Sequence, residues 1–102
     1  MDKSNAKLLR ELRNFKEDNK ISKLIFFGSR SKGEYTKYSD VDLIIISPRF
    51  KKIKSYKRAP LIRPKWELDY PVDFLCYTPE EFNKLKKQVT IVREAVREGI
   101  EI

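Results

Sequence analysis

Leu24-Ile25-Phe26-Phe27-Gly28-Ser29, followed by Ser39-Asp40-Val41-Asp42-Leu43-Ile44-Ile45-Ile46, is the stretch on which the reading of this chain turns. Each half carries a short apolar run of strand length rather than helix length. The first run ends in Gly28-Ser29, a corner that can offer backbone N–H groups and a hydroxyl to an anion. The second opens with two aspartates, whose hard oxygens suit a divalent cation. Val41–Ile46 is apolar on both faces, so it is expected at the centre of a sheet. Lys23–Phe27 is expected to be a second, short buried strand.

Outward from this pair, residues 4–17 place Leu8, Leu9, Leu12 and Phe15 on one helical face. Residues 29–34 read as a helical turn ended by Gly33, and 35–39 as a loop. Ser47-Pro48 closes the second strand. Val72–Tyr77 reads as a third strand. Thr78-Pro79-Glu80-Glu81 is a strong helix start, with Thr78 as N-cap, Pro79 at the first position and Glu81 closing a capping box. Phe82, Leu85 and Val89 should share one face of that helix. Ile91, Val92, Ala95 and Val96 should form another apolar face, ended by Gly99. Residues 49–70, rich in lysine and arginine and holding Pro60 and Pro64, predict a loop with one short helix or strand. This order predicts an α/β (α+β) fold, with helices packed on a small mixed sheet.

The chain has 102 residues, enough for one domain, taken as 1–102. No apolar run approaches the roughly 20 residues of a membrane helix. The polar N-terminus lacks the apolar core of a signal peptide, so a cytoplasmic location is expected. One cysteine and no histidine exclude an intrachain disulfide and a Cys/His zinc site. Cys76, inside an apolar run, reads as a small buried hydrophobe. Without imidazole, a general base must be a carboxylate, a metal-bound hydroxide or the substrate. The net charge of +8 favours polyanionic partners: nucleic acid, nucleoside triphosphates or an acidic protein.

Asp40 and Asp42, two apart in a strand, should point to one face with Cβ atoms roughly 6.5–7 Å apart. Alone, such a pair is as well explained by a turn cap and an ion pair. A third carboxylate, Asp73, lies in the third strand on the face of Leu75 and Tyr77, where an unpaired charge is costly. Three aspartates on adjacent strands beside a Gly-Ser turn fit a site that holds two metal ions about 3.5–4 Å apart and transfers a phosphoryl-type group. Arg30 and Lys32 add positive charge at the turn.

The pattern Gly28-Ser29-Arg30-Ser31-Lys32-Gly33, then Ser39-Asp40-Val41-Asp42-Leu43, resembles the signature of the nucleotidyltransferase superfamily related to DNA polymerase β. The short length resembles its minimal nucleotidyltransferases, often paired with HEPN-domain proteins as toxin–antitoxin modules. The resemblance implies that Asp40, Asp42 and Asp73 bind Mg²⁺, with Mn²⁺ as the alternative. It implies that Gly28 and Ser29 hold the β- and γ-phosphates of an NTP, and that Arg30 also faces phosphate. Lys32 stands where arginine is common, keeping charge but losing bidentate geometry. The activity implied is transfer of a nucleoside monophosphate, AMP from ATP, to an acceptor hydroxyl with release of pyrophosphate. By analogy, that acceptor is a tyrosine of a HEPN toxin. Residues 50–70 are the expected partner surface. The competing readings are an antitoxin acting by contact alone and, less favoured, a nucleic-acid-binding domain.

Overall fold

The computed structural model describes residues 3–33 and 40–102. The predicted loop 35–39 lies outside them. Helix α1 spans Lys3–Asp18, strand β1 Lys23–Phe27 and β2 Val41–Ile46. Helix α2 spans Ser55–Ile62, β3 Val72–Tyr77, α3 Pro79–Leu85, α4 Ile91–Glu98 and β4 Ile100–Glu101. Short 3-10 turns occupy Ser29–Lys32, Pro48–Lys52 and Arg63–Lys65.

The strands form one mixed sheet in the order β3-β2-β1-β4. β1 runs antiparallel to β2 and β4, and β2 runs parallel to β3. β2 is therefore interior, as its two-sided apolar sequence predicts. Side chains alternate along it. Val41, Leu43 and Ile45 join Leu8, Leu12 and Phe15 of α1 on one face. Ile44 and Ile46 join Phe82, Val92 and Ala95 on the other. Leu43, Ile44 and Ile45 are fully buried, contributing roughly 1.5–3 kcal/mol each. Asp42 shares the face of Ile44 and Ile46, and so looks toward α4.

The capping box forms as predicted: Glu81 N–H donates to Thr78 Oγ1 at 3.2 Å, and Thr78 N–H donates to Glu81 Oε1 at 2.8 Å. The helix is shorter than predicted. It ends at Leu85, and Thr90 caps a separate α4 by accepting from Arg93 N–H. Val89 thus leaves the expected face and is 92% exposed. In α4 only Val92 and Ala95 are buried; Ile91 and Val96 flank the stripe and are exposed, since successive residues turn by 100°.

Segment 49–70 holds the one helix expected, α2, between two 3-10 turns. Its return path is fixed by aromatic contacts: Trp66 stands edge-on to Phe15 at 5.2 Å and to Phe74 at 5.7 Å. Its indole N–H donates to the Tyr70 carbonyl at 2.9 Å. β4, only two residues long, had no sequence pattern to reveal it. Among the described residues, no helix is long and apolar enough to cross a membrane.

Candidate active site

Register places the site. Phe27 of β1 pairs with Asp42 of β2, and Asp42 with Asp73 of β3, so one row of the sheet carries two carboxylates beside the end of β1. Immediately past Phe27 the chain turns through Gly28, whose φ of 84° lies in the left-handed region. A Cβ at this position would collide with Asp42 Oδ2. Glycine is required here both for the turn and for the approach of backbone to carboxylate.

The turn is tied by Ser31, whose Oγ and N–H both donate to the Gly28 carbonyl, at 2.7 and 3.1 Å. Gly33, at φ 77°, ends it as predicted. Across from it stands α4. Lys32 donates to Glu98 Oε2 at 2.9 Å, linking the turn to the helix and holding the Glu98 carboxyl below its ordinary range. Gly99 closes the floor, because a side chain there would press on the Phe26 and Ala95 carbonyl oxygens. The half-open cleft of about 330 Å³ is lined by Gly28, Lys32, Asp42, Asp73, Leu75 and the inner side of α4.

Asp42 is half-buried, and its carboxyl is pushed above the ordinary range by burial first, then by the charges of Asp73 and Asp40. Hard oxygens from adjacent strands fit a divalent ion.

The three predicted carboxylates do not converge equally. Asp42 and Asp73 line the cleft. Asp40 is exposed and precedes β2, whose parallel ladder begins where Val41 N–H donates to the Pro71 carbonyl at 2.8 Å. Asp40 thus stands one residue before β2 rather than within it, while Asp42 and Asp73 pair across strands. Among the described residues, no three Asp, Glu or Cys side chains group tightly enough to hold an ion.

Ser29 is exposed at the mouth. Arg30 is buried, its guanidinium 4.8 Å from the Tyr70 ring, and it is not among the residues lining the cleft. Ile91, Glu94 and Glu98 form a wall that sequence reasoning read only as helix. The spacing of Ile91, Glu94 and Glu98 at one face of α4 was the available signal. Cys76 is buried as predicted, its thiol pushed up to about 11 by burial and thus inert. A larger cavity of about 740 Å³, between α1 and residues 64–70, carries neither Asp42 nor Asp73.

The model of a family described as "Nucleotidyltransferase domain" matches residues 7–100. A protein of Methanocaldococcus jannaschii named "putative protein adenylyltransferase" is 26% identical over 97 residues, covering 89% of this chain and 94% of its own. A crystal structure of a "putative nucleotidyltransferase" from Sulfolobus solfataricus aligns with a TM-score of 0.65 at 17% identity, over 96% of this chain and 81% of that one. That likeness is one of fold.

Proposed function

This chain belongs to the nucleotidyltransferase domain family and is a transferase, and we propose that it moves AMP from ATP onto the hydroxyl of a protein side chain, releasing pyrophosphate. The observation that carries the reading is the cross-strand pair Asp42/Asp73, with Asp42 packed against the bare backbone of Gly28. The name of the Methanocaldococcus relative, a protein adenylyltransferase, supports the choice of AMP and of a protein acceptor.

Asp42 and Asp73 would hold Mg²⁺, with Mn²⁺ as the alternative and Asp40 completing the set from the mouth. The ion would neutralise charge on the triphosphate and polarise the α-phosphorus. The rest of the work falls to the chain. Gly28 lets the triphosphate approach the backbone, and the N–H groups at the start of the Ser29–Lys32 turn would face anionic oxygens. Ser29 Oγ, exposed at the mouth, adds a donor. Arg30, stacked on Tyr70, braces the turn from behind rather than meeting phosphate. Leu75 and Ile91 exclude water from one side of the cleft. The rigid row Phe27-Asp42-Asp73 fixes the donor for in-line attack, and such positioning supplies much of the rate. A tyrosine of a HEPN-type partner is the acceptor proposed.

Calorimetric titration with ATP tests this, with and without Mg²⁺, beside Asp42→Asn/Asp73→Asn. Metal-dependent binding lost in the variant supports the site. Transfer from α-labelled ATP to a co-expressed HEPN-type protein then tests the acceptor. Equal binding by the variant would sink the metal assignment.

A further inference from the structure

The row Lys23-Ile46-Tyr77 forms the other end of the same strands, four residues or roughly 13 Å from the row Phe27-Asp42-Asp73. Three segments leave the sheet there: 18–23, 46–58 and 77–88. Contacts draw them together. Arg49 Nη2 donates to the Asn19 carbonyl at 2.9 Å, and Arg58 Nη1 donates to the Cys76 carbonyl at 3.2 Å and to Glu81 Oε1 at 2.6 Å. Lys23 and Lys86 both lie over the Phe82 ring. A cleft of about 390 Å³ joins Ser55 and Arg58 of α2 to Lys84 and Gln88 beyond it.

These three segments hold eleven Lys and Arg against three Asp and Glu, a net +8. The remainder of the chain holds twelve of each and is neutral. The surplus charge of the chain is therefore carried by the segments that leave this end of the sheet, opposite the cleft, where Lys23 also meets Glu101 at 3.9 Å. Two of the three acids there, Asp18 and Glu80, are exposed, and the third, Glu81, is committed to Arg58. Among the described residues, no carboxylate comes within ion-pair distance of Lys51, Lys52, Lys54, Lys57, Lys84 or Lys87. A surface tuned only for solubility would intersperse both signs. Tyr56, at the start of α2, is 70% exposed with the Lys57 ammonium 5.9 Å from its ring. An exposed aromatic ring among unpaired lysines offers a stacking platform on a phosphate-binding surface.

We propose that this pole is a second binding site, distinct from the nucleotide cleft, that takes single-stranded nucleic acid, with Lys51, Lys52, Lys54 and Lys57 on the phosphates and Tyr56 stacked on a base. A lysine surface meets phosphate as point charges without reading sequence, so the binding is sequence-tolerant. A duplex buries its base faces and gives Tyr56 no partner. The site is independent of the chemistry proposed for the cleft.

The probe is a dye-labelled oligouridylate of about 12 nucleotides, followed by fluorescence anisotropy across a salt series. Binding at low ionic strength, weakening steeply with salt, is expected. Reversing three charges, Lys51→Glu/Lys52→Glu/Lys54→Glu, should weaken it at least tenfold and flatten the log–log salt slope by about 2, at roughly 0.7 per phosphate contact. The glutamine triple should do the same in part, and circular dichroism checks that both fold. Tyr56→Ala should weaken binding about fivefold or more with the salt slope unchanged. Reversal of Lys7, Arg10 and Arg13 on α1, in the neutral remainder, should change little. Asp42→Asn/Asp73→Asn should bind the strand within about twofold of wild type. Absence of binding at low salt would overturn the proposal, as would equal losses from the α1 reversal. Unchanged affinity in Tyr56→Ala, or equally good competition by a duplex, would overturn the single-strand assignment.

Discussion

Asp42 and Glu81 are carboxylates at opposite ends of the same sheet, and their surroundings drive them in opposite directions. Asp42 stands beside Asp73 with Asp40 nearby, and both burial and like charge push its carboxyl upward. Glu81 accepts from the Arg58 guanidinium and from the Thr78 N–H, and its carboxyl is held below its ordinary value, chiefly by the bond to Arg58. Glu81 is matched by its own partners and so serves the fold. Asp42 keeps a conflict that folding alone does not need, which is the feature the proposed nucleotide site uses.

The most damaging way to break the contrast is at the cleft. Asp42→Asn should lower AMP transfer by about 10²-fold or more, the scale of losing a preorganised electrostatic group. It should at the same time raise stability by up to about 1 kcal/mol, because the conflict with Asp73 is gone. Transfer assays beside thermal melts check both. A variant that loses stability along with activity would refute the contrast.

At Glu81 the expected effect lies wholly in stability. Glu81→Ala strands the buried Arg58 and removes half of the capping box, so it should cost about 2–4 kcal/mol by chemical denaturation. ATP affinity per folded molecule should be unchanged. Gly28→Ala bridges the two cases. The left-handed φ and the collision with Asp42 should cost about 1–3 kcal/mol and weaken ATP binding as well.

The pH dependence sharpens the comparison with the smallest changes. Glu81 has a lowered carboxyl, so its contribution is complete above its ordinary value of 4.5 and is lost as pH falls through the folded value. Asp42 has a raised one. Its penalty is absent below the ordinary 3.8, grows as pH rises past it, and is complete above the folded value. Acid should therefore destabilise wild type less steeply than Asp42→Asn, and Glu81→Gln should lose the Glu81 part of the acid limb. Denaturation midpoints across acidic pH decide this. Lys32→Gln, which breaks only a half-exposed bridge to Glu98, should change stability by no more than about 1 kcal/mol.

Most of the frame was legible because it is written in local pattern. Runs such as Leu24–Phe27 and Leu43–Ile46 can only be buried strands, and Thr78-Pro79-Glu80-Glu81 carries its own cap. Segment 49–70 was not legible, since its path rests on Trp66 meeting Phe15 and Phe74, which are distant in sequence. Val89 misled because its spacing from Phe82 and Leu85 is helical, while the chain stops α3 and caps α4 at Thr90.

The sequence by itself determined the chemistry on offer: a Gly-Ser turn after one buried strand, aspartates at the head of another, and a third aspartate in an apolar run. Those are choices of residue type at short spacing, and short spacing is readable. Only the tertiary structure decided which of them meet. The parallel register of β2 and β3 put Asp73 beside Asp42. Tyr70, forty residues on, came to pack on the Arg30 guanidinium, and the return of three separate segments to one end of the sheet gathered the basic segments there. Register and long-range packing are set by the sum of contacts across the whole chain, which no local stretch of it carries.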